Sequence, residues 1–279
     1  MALLYCSSAK AQTDLDAILM NKSNHSSWDN YWEGTLKRTN ENIGTITTQS
    51  VMYMATYGIT NDLNVIAGAP YVWTKASAGT LKGMSGVQDI SAIVKWRALH
   101  KNFGSNKLSL FLIGGISTPL SNYLIDHLPL SIGMGSTSFL GRGMVDFQHK
   151  RLNVTASAAY VRRNNVEIDR TAYYDTEMHY TNKIEMPDAA QYQLRAGYRG
   201  KYLLAEALLN NNTTLGGFDM TRNNMPFPSN RMNATSVGLQ LKYTLKTMTN
   251  LSLLAGATTT IAGRNMGQAN SFNVGAFYA

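Results

Sequence analysis

A single cysteine, Cys6, occurs in the 279 residues, so no disulfide can staple the chain internally. Charge is scarce as well: 15% of residues are ionisable Asp, Glu, Lys or Arg, where soluble domains carry about 25%. Apolar residues, at 44%, are not in excess either. Long hydrophobic runs are missing, since stretches such as Leu108–Ile113 stop far short of the roughly 18 residues of a spanning helix. These absences exclude a disulfide scaffold, a coiled coil, a disordered chain and a helical membrane protein. What is abundant is Gly (23), Tyr (15) and a large share of Ser, Thr and Asn, a composition of strands and turns. The formal charge of +8 invites a nucleic-acid reading. The basic residues, however, divide between strand faces and loops and form no aromatic-interleaved surface, so nucleic acid is excluded as a partner.

Residues 1–11 read as the end of a signal peptide: Met1–Cys6 is apolar, and Ala9-Lys10-Ala11 fits a small-x-small cleavage pattern. Residues 12–22 are expected to form an N-terminal segment. Leu15, Ile18 and Leu19 at helical spacing would allow a plug, and a plain tail is the alternative. Residues 23–279 are expected to be one domain.

Within that domain the side chains alternate with period two. Leu152, Val154, Ala156, Ala158 and Tyr160 oppose Asn153, Thr155, Ser157 and Ala159, and Ile90, Ala92, Val94 and Trp96 oppose Asp89, Ser91, Ile93, Lys95 and Arg97. When each strand is phased by its apolar residues, Asp89, Lys95, Arg97, Arg142, Asp146, Arg195, Arg199, Glu206 and Lys242 all fall on the opposite face. A soluble sandwich would show the same alternation, so this pattern alone does not decide.

Aromatic placement and loop length decide it. Tyr57, Trp96, Phe147, Tyr198, Tyr243 and Tyr278 end successive down-running segments on the apolar face, as a girdle at one membrane interface would. Short connections (Gly58–Leu63, Leu99–Lys107, His149–Leu152, Gly200–Tyr202, Lys246–Asn250) alternate with long polar ones (Lys75–Gly86, Pro119–Gly133, Asn164–Pro187, Gly216–Arg231). That rhythm predicts an all-β, transmembrane, up-and-down antiparallel β-barrel of about twelve strands. The strands are expected near 23–34, 44–57, 62–74, 87–99, 107–118, 135–148, 152–163, 188–199, 202–215, 233–246, 250–262 and 270–279. Two places fit poorly. Asn21–Ser27 is too polar to face lipid, and the last strand ends on Ala279 where barrels of this kind usually end on an aromatic residue.

Tyr57-Gly-Ile-Thr-Asn-Asp-Leu-Asn-Val65 followed by Ala69-Pro-Tyr71, and Gly86-Val-Gln-Asp89 leading to Lys95-Trp-Arg97, resemble conserved phrases of the MetA-pathway phenol-degradation family. Ser117-Thr-Pro-Leu120 and the run Gly133-Met-Gly135 into Gly141-Arg-Gly143 occupy fitting positions, and the resemblance is best over residues 50–163. It implies a bacterial outer-membrane barrel that acts as a transporter, with hydrophobic or aromatic compounds among its solutes.

The nine inward ionisable residues are therefore expected to line a lumen and solute pathway that leans towards anions. The competing expectation is that they pair with one another to fill a narrow barrel. Expected partners are the outer-membrane lipid bilayer, the barrel-assembly machinery and a small-molecule solute; no cofactor and no metal is expected. Two rival functions remain at this stage: a lipid or ester hydrolase on the same scaffold, and a surface-binding structural barrel. The hydrolase reading is weak, because His127, Ser131, Ser136 and His149 sit in no nucleophile motif and no enzymatic activity is expected.

Overall fold

The computed structural model describes residues 17–220 and 226–279. Twelve strands form the wall: β1 (Ala17–Trp28), β2 (Ile46–Gly58), β3 (Leu63–Ala76), β4 (Asp89–Phe103), β5 (Asn106–Pro119), β6 (Ser138–His149), β7 (Leu152–Arg163), β8 (Ala189–Arg199), β9 (Leu203–Thr214), β10 (Asn233–Thr244), β11 (Leu251–Arg264) and β12 (Asn270–Tyr278). Each pairs antiparallel with the next, and β12 returns to β1, so the sheet closes on itself. The described residues contain no helix.

Side-chain polarity runs opposite to that of a soluble protein. Outward-facing Leu239 and Val154 are 64% and 46% exposed, while inward-facing Asn153 and Thr155 are each 2% exposed. Polar side chains are inside and large apolar ones outside, which is stable only where the surroundings are hydrocarbon. The chain is a transmembrane β-barrel, as the alternation predicted. Closure follows from the same surroundings: an unpaired backbone group in the bilayer core costs several kcal/mol, and a closed sheet leaves none.

The closing seam differs from the sequence reading. Strand β1 covers Ala17–Trp28 rather than 23–34, with Leu19 opposite Tyr278 and Ser27 opposite Asn270. Residues 17–22 thus belong to the wall and not to a tail or plug; the remaining part of that segment, and the signal-peptide residues 1–11, lie outside the described residues. The shift has a local cause. Asn30–Glu33 and Leu36–Thr39 fold back on each other as a hairpin around Gly34, whose φ of +55° suits glycine. The hairpin is pinned where Trp32 packs over Gly263 and donates its backbone N–H to the Met266 carbonyl at 2.9 Å. Ala279 donates its N–H to the Asn250 carbonyl at 2.9 Å, which ties the end of β12 to the turn between β10 and β11.

Loop lengths divide as expected. Tight turns join β2 to β3, β4 to β5, β6 to β7, β8 to β9 and β10 to β11 at one rim, and the long connections gather at the other. There, Val166, Ile168, Ile184 and Met186 form a second apolar core, with Ile125, Met134, Tyr173 and Phe227 packed against it.

An arginine at position 239 would place a charge in hydrocarbon. Leu239→Arg is expected to lower unfolding free energy by about 2–4 kcal/mol if it sits near the bilayer midplane. Ser157→Lys, on the inward face, should cost less than half as much. Urea unfolding in phospholipid vesicles measures both.

Candidate functional site: the barrel lumen

The lumen has two unlike walls. On β2–β6, Met54, Ile66, Ile93, Phe111, Ile113 and Met144 pack into one apolar cluster. The alternation of these strands turns every second residue inward, and at these levels the inward residue is large and apolar. On β6–β9 the inward residues are ionic. Arg199 grips Asp146 with both guanidinium nitrogens, at 2.9 and 3.1 Å, and reaches Glu206 at 3.4 Å. Arg195 lies 3.7 Å from Glu206. Thr155 donates its hydroxyl to Asp146 at 2.5 Å, and Asn153 donates its amide to Glu206 at 2.7 Å. Each carboxylate thus faces at least one guanidinium and accepts one further side-chain hydrogen bond, the kind of pairing that offsets the cost of burying charge. Arg195 also points a nitrogen at the Met144 sulfur, 3.9 Å away, joining the ionic wall to the apolar one.

Other cations sit against rings and amides. The Lys95 ammonium stands 4.6 Å from the Phe111 ring centre, and Lys242 stands 4.0 Å from that of Phe277. Arg142 Nη2 donates to the Gln191 side-chain oxygen, Oε1, at 2.8 Å. Further round, Asn210, Asn212, Gln240 and Asn273 line the interior with amides. In cross-section the lumen is greasy on one side and polar on the other.

Two of the nine predicted residues are placed at the rims. Arg97 follows the inward phase, but it turns to the short connection, with Nε 2.6 Å from Asp62 and Nη2 donating to the Asn61 carbonyl at 3.1 Å. A register shift between Arg97 and Leu99 lies beside it. Asp89 lies at the opposite end, under the 119–137 loop. That loop dips into the mouth: the Tyr123 hydroxyl donates to Asp89 at 2.8 Å, and inward-facing Thr74 donates to the Leu130 carbonyl at 2.6 Å. Burial, with the Asp89 carboxylate beside it, pushes the Tyr123 phenol up, so it stays a neutral donor. Both elements of this mouth plug escaped sequence reasoning, because a loop residue carries no periodic signal.

The six aromatic residues all stand on the outside next to the short turns. Tyr57, Trp96, Phe147, Tyr243 and Tyr278 are exposed, and Tyr198 is half-covered, with Arg151 donating to its hydroxyl at 3.1 Å. A second row, Tyr71, Phe139, Tyr160, Tyr192 and Phe272, is exposed near the long-loop end. Tyr198 lies six positions along the strand from Tyr192, about 20 Å at roughly 3.4 Å per residue.

One residue organises a sector of the mouth. The Asn265 side-chain oxygen accepts the Gly34 and Met220 N–H groups at 2.7 and 3.1 Å, and its amide donates to Asp219 and to the Arg231 carbonyl, both at 2.7 Å. The Arg264 guanidinium, hydrogen-bonded to Asp219, holds that carboxyl below the usual carboxylate range.

The hydrolase candidates do not meet. His127 faces the Lys82 carbonyl at 3.0 Å, Ser131 donates to the Gly133 carbonyl at 2.8 Å, and His149 pairs with Asn106 at 2.6 Å. Among the described residues, no group of three His, Cys, Asp or Glu is placed to hold a metal.

Two outcomes test this architecture. Glu206→Gln strips Arg195 and Arg199 of a buried counter-charge and is expected to destabilise the barrel by about 3 kcal/mol, read by urea unfolding in vesicles. Asp219→Ala is expected to speed hydrogen exchange at the Gly34 and Met220 amides at neutral pH. In the native chain the folded Asp219 value lies below the unfolded one of about 3.9. The latch therefore contributes fully above that range and is lost only as pH falls through the depressed value, so the same faster exchange, corrected for intrinsic rates, should appear there.

The fold is shared with outer-membrane proteins of known structure. The COG4313 outer membrane channel from Pseudomonas putida F1 aligns over 99% of this chain and 99% of its own, with a TM-score of 0.76 at 14% identity. The NanC porin aligns over 94% and 99%, with a TM-score of 0.50 at 9% identity. The transport unit of the autotransporter AIDA-I from Escherichia coli aligns over 100% and 93%, with a TM-score of 0.50 at 11% identity. No curated protein matches the chain in sequence. The family model described as "Putative MetA-pathway of phenol degradation" matches residues 38–275, most of the barrel, and the chain belongs to that family.

Proposed function

We propose that this barrel is an outer-membrane channel for small amphipathic solutes, aromatic ones among them. The observation that carries the reading is the two-sided lumen. An aromatic ring finds Ile93, Phe111 and Ile113 on one side, and its polar substituent finds Lys95 and Arg142. Register places these groups together, because Lys95 stands opposite Ile113 on the next strand and Ile113 stands opposite Arg142 on the one after. Cationic side chains at that level favour an anionic or hydroxylated substituent over a cationic one. The family's description, which refers to phenol degradation, fits the same chemistry.

Asp146, Arg195, Arg199 and Glu206 have mainly a structural part in this reading: their mutual pairing fills the β6–β9 side and holds the passage narrow. Lys95, Arg142 and Lys242 are the solute-facing cations, Asp89 with Tyr123 guards the mouth, and Arg97 belongs to the rim. The row from Tyr57 to Tyr278 is the periplasmic interface girdle, and the barrel-assembly machinery inserts the chain. Transport through this passage needs no chemistry, and the hydrolase residues stand apart.

Flux into vesicles carrying the protein tests the proposal. Benzoate should enter faster than glucose, and Phe111→Ala should raise the rate for both by widening the apolar side. Arg142→Gln should lower the preference for benzoate severalfold. Entry no faster than in protein-free vesicles for every solute would overturn the channel reading.

A further inference from the structure

Between the two aromatic rows the outer surface of the wall is apolar except along β1. Its outward residues from Asn21 onward are Asn21, Ser23, His25 and Ser27, and the first three are exposed. They are not beyond the hydrocarbon. Asn21 stands between Ala276 and Tyr53, and Ser23 between Val274 and Val51. The same stretch of β12 runs from Tyr278, opposite Leu19, to Phe272, opposite His25, so the stripe spans the band between the two aromatic rows.

Hydrogen-bond chemistry sets the polarity at its upper end. Trp73 Nε1 can only donate, so the Gln49 atom it meets is the carbonyl oxygen, and the Gln49 amide nitrogen then faces His25 Nδ1 at 2.9 Å. An amide nitrogen can only donate, so Nδ1 accepts and the ring proton sits on Nε2. The network Trp73–Gln49–His25 therefore presents an N–H to the outside. Below it, Ser23 and Asn21 each carry both a donor and an acceptor.

Lipid tails cannot satisfy such groups, and polar side chains at membrane depth mark contacts with protein. We infer that β1 is the contact strand of a homodimer, in which the polar stripe of one barrel meets that of a second copy about a twofold axis along the membrane normal. Two copies inserted in the same sense bring equal heights together, so the donor–acceptor residue where the two strands cross meets its own kind. Strands tilted by about 40° cross when two such walls face each other, which centres the contact on the middle of the stripe, at Ser23. Beside it lies a groove of about 520 Å³, floored by Ala55, Ala67 and Ala69 and walled by Tyr53, Ile90 and Tyr278. Small residues there let an apolar side chain of the copy approach closely, as small residues do at membrane interfaces.

Site-directed cross-linking in native outer membranes tests this. In a Cys6→Ser background, Ser23→Cys is expected to yield an oxidised band at twice the chain mass. Val154→Cys, on β7 across the barrel, is expected to yield at least tenfold less. The combined Asn21→Leu, Ser23→Leu and His25→Leu variant should remain a heat-modifiable folded barrel while its dimer fraction in mild detergent falls at least tenfold. Cross-linking of Ser23→Cys no stronger than that of Val154→Cys, or a band containing a different protein, would overturn the inference, as would a wild-type barrel that sediments as a monomer at every detergent concentration.

Discussion

Hydrocarbon offers no hydrogen bonds, and that single fact governs the molecule. A strand edge left open in it would expose a row of N–H and C=O groups, so the first strand must find the last. Nine residue pairs from Leu19–Tyr278 to Ser27–Asn270 make that join. The polarity of the wall follows once the sheet is closed and placed in lipid.

Closure also creates an interior that must be filled. Twelve strands enclose more room than the eight whose side chains pack solid, and less than the sixteen or more that leave a wide aqueous pore. This chain fills the difference unequally. One side receives Phe111, Met144 and their isoleucine neighbours; the other receives two carboxylates clasped by two arginines. The asymmetry gives the lumen one apolar side and one ionic side, where uniform packing would give it neither.

Much of this was legible in the sequence because a strand has only two faces. Eleven of the twelve strands lie close to where alternation placed them, and Lys95, Arg142, Asp146, Arg195, Arg199, Glu206 and Lys242 face inward as phased. Strand β1 was misplaced because its outward row is polar, which removes the contrast that phase assignment needs. Arg97 was legible as inward but not as a rim residue, because neither a register shift nor a neighbouring turn aspartate leaves a periodic trace. The grip of Arg199 on both Asp146 and Glu206 depends on register across β6 to β9, which no local pattern encodes. The loop core around Ile184 and the Tyr123–Asp89 contact have no period at all.

The bond between the Gly34 N–H and Asn265 joins residues 231 positions apart. It can form only after β11 has taken its place, when nearly the whole chain has been delivered. Contacts of such long separation come late, since the entropy of closing the intervening loop must be overcome first. The Asn265 latch is therefore a record of finished insertion: a barrel stalled with its seam unzipped would lack it, and one sector of its mouth would stay unbuilt until the last hairpin arrived.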